Sequence, residues 1–321
     1  MERESRSIDP VQLDLAIGGQ AVMEGVMMRC PRSIATAVRT PGGKIIVRRK
    51  PYTSFLAKLK INKIPLLRGG LHLIESMALG IGALMFSAEQ AMQDEEIKEQ
   101  KTSMKDRAAL VGTLLFAFVL SLILFFWLPL MATEWTGVKS GVWFNVIDGI
   151  FRLAAFLAYI LLISRMEDMK RLFQYHGAEH KTIHVFEANL PLVPENARQF
   201  TTLHPRCGTS FLMFVMLISV LVFIPLGKPE TIGERLIRLA FVPVIGGISY
   251  EFIKLSAKQA CARWMKPFVW PGLMLQKITT QEPDDEQVAV AMAALQSALE
   301  AEAADIAEET LVELTTEPAG A

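Results

Sequence analysis

The sequence predicts an α-helical membrane protein. It has four transmembrane helices, an N-terminal α+β region with a β-hairpin and an amphipathic or interfacial helix, and a histidine-rich loop. Three observations predict it. Four long stretches are nearly free of charge, while charge is dense between them. Residues 33–50 alternate around a Pro-Gly-Gly turn. Four of the five histidines fall within 29 residues. The 321 residues are 51% hydrophobic, which is only slightly apolar for a soluble chain. The weight therefore rests on distribution rather than total.

The first crossing is read over residues 108–132. It carries no charge and exceeds the roughly 20 residues that span hydrocarbon. Trp127 and Trp135 sit near its far end, where interfacial aromatics collect. The second covers 142–164 and contains Asp148 and Arg152, four residues apart and so on one helix face. Such a pair is expected to point into the bundle. The third is read over 209–226 and the fourth over 236–253. Pro243, Gly246 and Gly247 predict a kink in the fourth.

Before the first crossing, residues 15–65 read as a small β element, in which Ser33–Thr40 and Lys44–Lys50 are two strands joined by Pro41-Gly42-Gly43. Residues 66–107 read as a long helix, apolar over Leu71–Phe86 and charged over Gln93–Arg107. The apolar part contains His72 and Glu75 and reads as a helix in the interface or packed on the bundle. A fifth crossing is the competing reading. It is less favoured because it moves a strongly basic N-terminus outside. The N-terminus lacks an apolar core of the signal-peptide kind, so none is expected.

Lysine and arginine place the chain. The loop between the second and third crossings and the N-terminal region are rich in both, and the other two loops are poor. The positive-inside rule puts both termini and the central loop in the cytoplasm. Arg235 and Arg238 count mildly against this. The chain divides into residues 1–107, a 108–164 helix pair, a histidine-rich segment at 165–208, a 209–254 helix pair, a post-membrane segment at 255–283, and a tail at 284–321. Residues 282–321 hold no Lys or Arg. In that tail Val288, Met292, Leu295 and Leu299 form a helical seam, and the remainder reads as solvated. Three cysteines, Cys30, Cys207 and Cys261, give no disulfide framework. Lipid is the expected surrounding, and no specific nucleic-acid partner is expected.

The chemistry concentrates in QYHGAEHKTIHVFE and HPRCGTSF. On a helix, His176, His180, His184 and Glu187 share one face, and imidazoles at i and i+4 are an arrangement helical zinc sites use. His204 and Cys207 follow a proline-marked loop that can return a further imidazole and a thiolate. A divalent metal, zinc by donor type, is the expected cofactor. HGAEH also matches H-x-x-E-H, in which the histidines bind zinc and the glutamate activates water. Glu179 is then the candidate base, and Glu251, at the end of the fourth crossing, the candidate distant acid. Structural zinc uses the same ligands, so the spacing alone leaves catalysis open. The GGQAVMEGVMMR run near the N-terminus reads as a tight turn docking on the rest of the polar region.

Four strings in order, GGQAVMEGVMMR, PLLRGGLHLIESMALGIGAL, HGAEHKTIHVFE and HPRCGTSF, resemble the YqhQ family of bacterial membrane proteins. The resemblance covers about Ile17 to Gln281 and leaves the acidic tail outside. It implies a multi-pass membrane protein for which a metal-dependent enzyme activity has been suggested, and it names no substrate. Two functions follow as expectations. One is a metal-dependent hydrolase at the cytoplasmic interface. The other is a non-catalytic factor docking a ribosome, a translocon or another membrane complex through its basic region.

Overall fold

The structure is a computed structural model that describes residues 17–54, 67–91, 104–205, 207–256 and 262–314. Met1–Asp14, most of the charged stretch after residue 92, Arg206 and Cys261 lie outside the described residues.

A five-stranded antiparallel meander forms the polar end. Its strands are β1 (Gly18–Val22), β2 (Gly25–Arg29), β3 (Ser33–Arg39), β4 (Ile45–Pro51) and β5 (Thr310–Leu314), in spatial order β1-β2-β3-β4-β5. The expected hairpin is β3–β4, with Ala37 opposite Val47. The GGQAVMEGVMMR run is more than a turn: it supplies two whole strands, with Gln20 opposite Met27. Gly25 has no room for a side chain, since a Cβ there would lie 2.0 Å from the Ala37 carbonyl oxygen.

Both faces of this sheet are covered, so side-chain alternation sorts residues between two cores. Val22, Met27, Ile34 and Val38 pack against the C-terminal half of helix α1 (Leu67–Ala91), meeting Ala83 and Phe86. Val26, Met28, Ala35, Ala37 and Val47 pack on the opposite side. There they meet α5 (Glu167–Glu187) and α11 (Asp285–Ala304). The seam of Val288, Met292, Leu295 and Leu299 is buried in this core. Asp284 and Gln287 close a capping box at the start of α11. The tail was expected to be solvated beyond that seam. Instead Thr310–Leu314 adds a fifth strand to the β4 edge.

The segregated charges meet in the same region. Arg32 pairs with Glu302 and Asp305, Arg39 with Glu286, Lys44 with Glu313, Arg48 and Lys50 with Glu309, and Arg49 with Glu300. Lys181 and Arg198 reach Glu282 and Asp285. The basic N-terminal strands and the acidic C-terminal residues are thus each other's counterions.

The apolar end is a helix bundle. Helix α2 (Met104–Leu122) runs through a π-helical turn, Ile123–Trp127, into α3 (Leu128–Trp135). Next come α4 (Gly141–Ile163), then α5, a short α6 (Pro194–Ala197), α7 (Thr209–Phe223), α8 (Ile232–Ala240), α9 (Val242–Ser256) and α10 (Ala262–Thr279). Leu115, Phe116, Phe118, Leu162 and Leu221 are exposed on its outside, the surface a lipid solvent would cover.

Four helical stretches are long and apolar enough to cross a membrane: Arg68–Ala91, Val111–Trp135, Gly141–Ile163 and Ile232–Lys254. Three correspond to expected crossings. The third expected crossing is instead a helix of 15 residues, about 22 Å at the ordinary helical rise. The fourth stretch, Arg68–Ala91, is the helix expected at the interface. Its N-terminal half packs on α9, where a Cβ on Gly69 would lie 2.9 Å from the Gly247 Cα. Its C-terminal half packs on the sheet, where Arg48 donates to the Gly82 carbonyl at 3.2 Å. The helix therefore bridges bundle and sheet.

The Asp148–Arg152 pair turns inward as expected, at 2.8 Å, with both residues buried. Buried Arg238 joins it, 4.0 Å from Asp148 and bonded to Asn145 at 2.8 Å. Arg152 also donates to the Phe125 carbonyl within the π-helical turn, at 3.3 Å.

Candidate metal centre

The histidines lie where α5 is clamped between the sheet and the end of the bundle. Helix α5 begins with Glu167 and Asp168, charges that suit the N-terminal end of the helix dipole. His176, His180 and His184 project from successive turns. The loop from α6 to α7 brings Thr202, Leu203, His204 and Cys207 over them, and the end of α10 brings Gln276 and Thr279.

Each histidine of α5 gives one ring nitrogen to a main-chain carbonyl. His176 Nδ1 is 2.8 Å from the Thr279 oxygen, His180 Nδ1 is 2.5 Å from the Thr202 oxygen, and His184 Nε2 is 3.0 Å from the Leu203 oxygen. A carbonyl only accepts, so those nitrogens carry the proton and the other ring nitrogen of the neutral imidazole holds a lone pair. This is the outer-shell pattern that orients metal-binding histidines. His176 Nε2 lies 3.2 Å from Cys207 Sγ. Buried His180 Nε2 has no hydrogen-bond partner among the described residues within ordinary geometry, and Cys207 is its neighbour.

The six donor residues named from the sequence fall into two groups. His176, His180 and Cys207 form one, and His184, Glu187 and His204 the other, with donor atoms in each group within 4.8 Å of one another. The groups adjoin: the His180 and His204 ring centroids are 5.6 Å apart. Burial pushes His180 and His204 toward the neutral form, while Cys207 and Glu179 respectively oppose it.

Neither candidate catalytic carboxyl belongs to a donor group among the described residues. Glu179 faces the sheet, against Gly19 of β1. A Cβ on Gly19 would come within 2.9 Å of the Glu179 carboxyl. Burial pushes the pKa of that carboxyl up, opposed by His176, His204 and the Gly19 N–H. Glu251 is held by Arg68 of α1 through bonds of 2.6 and 2.5 Å. Among the described residues it belongs to neither donor group.

Several residues that build the site have no counterpart in the sequence reading. Gln276 grips the His204 main chain with two bonds, accepting from its N–H at 2.8 Å and donating to its carbonyl at 2.9 Å. A fully buried glutamine in an apolar helix was the available signal. Gly177 lets the chain after α10 cross α5, since a Cβ there would lie 2.1 Å from the Gln281 carbonyl oxygen. That crossing delivers the Thr279 carbonyl to His176. Glu24, in the turn between β1 and β2 at φ 49°, receives Arg171 of α5 at 2.6 and 2.5 Å. The first motif thus docks on the histidine helix, as the docking-turn reading expected.

Comparison with known proteins fits this arrangement. A family described as a protein of unknown function (DUF1385) matches residues 64–301. The match runs through α11, so the acidic tail does not lie wholly outside the family as expected. The chain is 37% identical over 300 residues to the uncharacterized protein YqhQ of Bacillus subtilis (strain 168), covering 90% of this chain and 93% of that protein. No solved structure matches. The chain belongs to the DUF1385 family of YqhQ-like proteins of unknown function.

Proposed function

We propose that the protein is a multi-pass enzyme of the bacterial cytoplasmic membrane, with its termini and histidine cluster in the cytoplasm. It holds a divalent metal, zinc by donor type, through His176, His180 and Cys207, and catalyses a hydrolysis. The observation that carries this reading is the convergence of His176, His180 and Cys207, whose donor atoms lie within 4.8 Å of one another, with both histidines fixed from behind by main-chain carbonyls. Three protein ligands suit a catalytic site, which keeps one position open. A bound cation supplies Lewis acidity there.

Glu179 is the base of this reading. Burial raises its proton affinity, which suits a group that accepts a proton. Glu251 serves packing through Arg68. The docking alternative draws no support from the basic strands, because the protein's own acidic residues already occupy them.

Metal content by mass spectrometry of detergent-purified protein tests the reading, followed by assays on generic ester, amide and phosphoester substrates. Zinc should co-purify and fall sharply in Cys207→Ser and His180→Ala. Wild-type protein that neither carries metal nor gains it on dialysis against zinc overturns it.

A further inference from the structure

Three features stand outside that reading: the buried charge cluster around Asp148, the small cavity between α1 and the sheet, and the second donor group. In the charge cluster the buried groups pair with one another, Asp148 with Arg152 and Arg238. The cavity between α1 and the sheet is lined by Met27, Leu79 and Ala83 with Arg48 and Lys50, and both cations are paired with Glu309. The second donor group carries further.

We infer that the junction is a binuclear metal centre, with a second divalent cation held by His184, Glu187 and His204 beside the one held by His176, His180 and Cys207. The inference rests on the metal reading above and deepens it.

The second group repeats the construction of the first. His184 and Glu187 are three apart on α5, so they face the same side. The loop returns His204 to them just as it returns Cys207 to His176 and His180. His184 Nε2 is tied to the Leu203 carbonyl at 3.0 Å, which assigns the ring lone pair to Nδ1. The His204 backbone is gripped at both ends by buried Gln276, so its ring is held in place by a dedicated device.

The spacing also suits a shared ion. The donor atoms of His184, Glu187 and His204 lie within 4.8 Å of one another, and His204 Nε2 and Glu187 Oε1 are 3.5 Å apart, within ion-pair reach. Two ligands at zinc bond lengths of about 2.0–2.1 Å in a tetrahedron are about 3.4 Å apart. The His184 and His204 rings stand 4.7 Å apart between centroids.

The two sites differ in softness. A thiolate with two imidazoles selects zinc, whereas two imidazoles with a carboxylate also accept manganese or iron. Adjoining ions suit in-line displacement at phosphorus, where both attacking and leaving oxygens need charge stabilisation. Phosphoesters are therefore the substrate class of this centre.

The test is cobalt titration of chelator-stripped protein in detergent, followed by absorption and by metal analysis. Wild type should bind two equivalents, one with a thiolate-to-cobalt charge-transfer band. Cys207→Ser should bind one without that band. His184→Gln with Glu187→Gln should bind one and keep the band, with circular dichroism and Tm as fold controls. The single Glu187→Gln, at a partly exposed side chain, should weaken the second site alone. Saturation of wild type at one equivalent with the band overturns the second site and leaves the mononuclear reading standing. Two equivalents in the His184/Glu187 variant also overturn it. No binding at all removes both readings.

Discussion

Gly19 of the first strand and Glu179 of the histidine helix are in direct contact, and the contact exists because Gly19 has no side chain. A Cβ there would sit 2.8 Å from the Met27 carbonyl oxygen and 2.9 Å from the Glu179 carboxyl. The first motif of the sequence thus closes over the acid of the third. Gly19→Ala must displace a strand or push Glu179 aside, at a cost of about 1–3 kcal/mol. The drop should appear as a lowered Tm in detergent. Glu179→Ala in the same chain removes one of the two clashes and should recover part of the loss, a coupling a double-mutant cycle reads. Additive effects would mean that the two residues do not constrain each other.

The charge cluster in the bundle makes a second prediction. Asp148 is the acid facing two buried arginines, Arg152 at 2.8 Å and Arg238 at 4.0 Å. Asp148→Asn leaves both guanidinium groups buried without it, a change that costs about 3–5 kcal/mol where a buried pair is broken. Yield and Tm of the detergent-purified variant should fall together. Combining it with Arg152→Met should restore part of the loss. An Asp148→Asn protein as stable as wild type would show the cluster to be hydrated.

On α11 two glutamates of the same charge should behave differently. Glu302 is nearly enclosed and accepts from the Arg32 N–H at 2.8 Å, Arg32 Nε at 3.1 Å and Ser33 Oγ at 3.1 Å. Glu300 is half exposed and meets Arg49 at 2.7 Å. Glu302→Ala removes the acceptor of the partly buried Arg32 N–H and leaves Ser33 Oγ only the Ala298 carbonyl, and should cost about 1–3 kcal/mol. Glu300→Ala should cost at most about 1 kcal/mol, and less in high salt. Thermal unfolding at two ionic strengths separates them, and equal effects would contradict the burial argument.

The contrast between these elements explains what the sequence could show. The β3–β4 hairpin was legible because polar and apolar residues alternate around Pro41-Gly42-Gly43. Strands β1 and β2 were not, because Val26, Met27 and Met28 are buried on both sheet faces and show no alternation. Strand β5 is five residues with a glutamate, a composition that reads as solvated. The histidine face was legible from its four-residue spacing. Its division into two donor groups was not, since that depends on how the loop returns His204 and Cys207. Nor were the Thr202, Leu203 and Thr279 contacts, because main-chain carbonyls leave no mark in a sequence.

The acidic tail yields the last prediction. Val288, Met292, Leu295 and Leu299 are each at most 5% exposed and lie over the small residues Ala35 and Ala37 of β3. Burying such side chains contributes about 1.5–3 kcal/mol apiece, which together approaches the whole stability of an ordinary domain, about 5–15 kcal/mol. Truncation after residue 283 removes this helix and also the counterions of Arg32, Arg39 and Arg49. That chain should be lost as aggregate on size-exclusion chromatography in detergent. Truncation after residue 306 keeps the helix but removes β5, which uncovers the β4 edge, together with Glu309, the partner of Arg48 and Lys50. It should remain monodisperse with a lowered Tm. Should the shorter chain run as a single species with wild-type Tm, the tail would be the passive appendage its composition suggests, and the core drawn around α11 would be wrong.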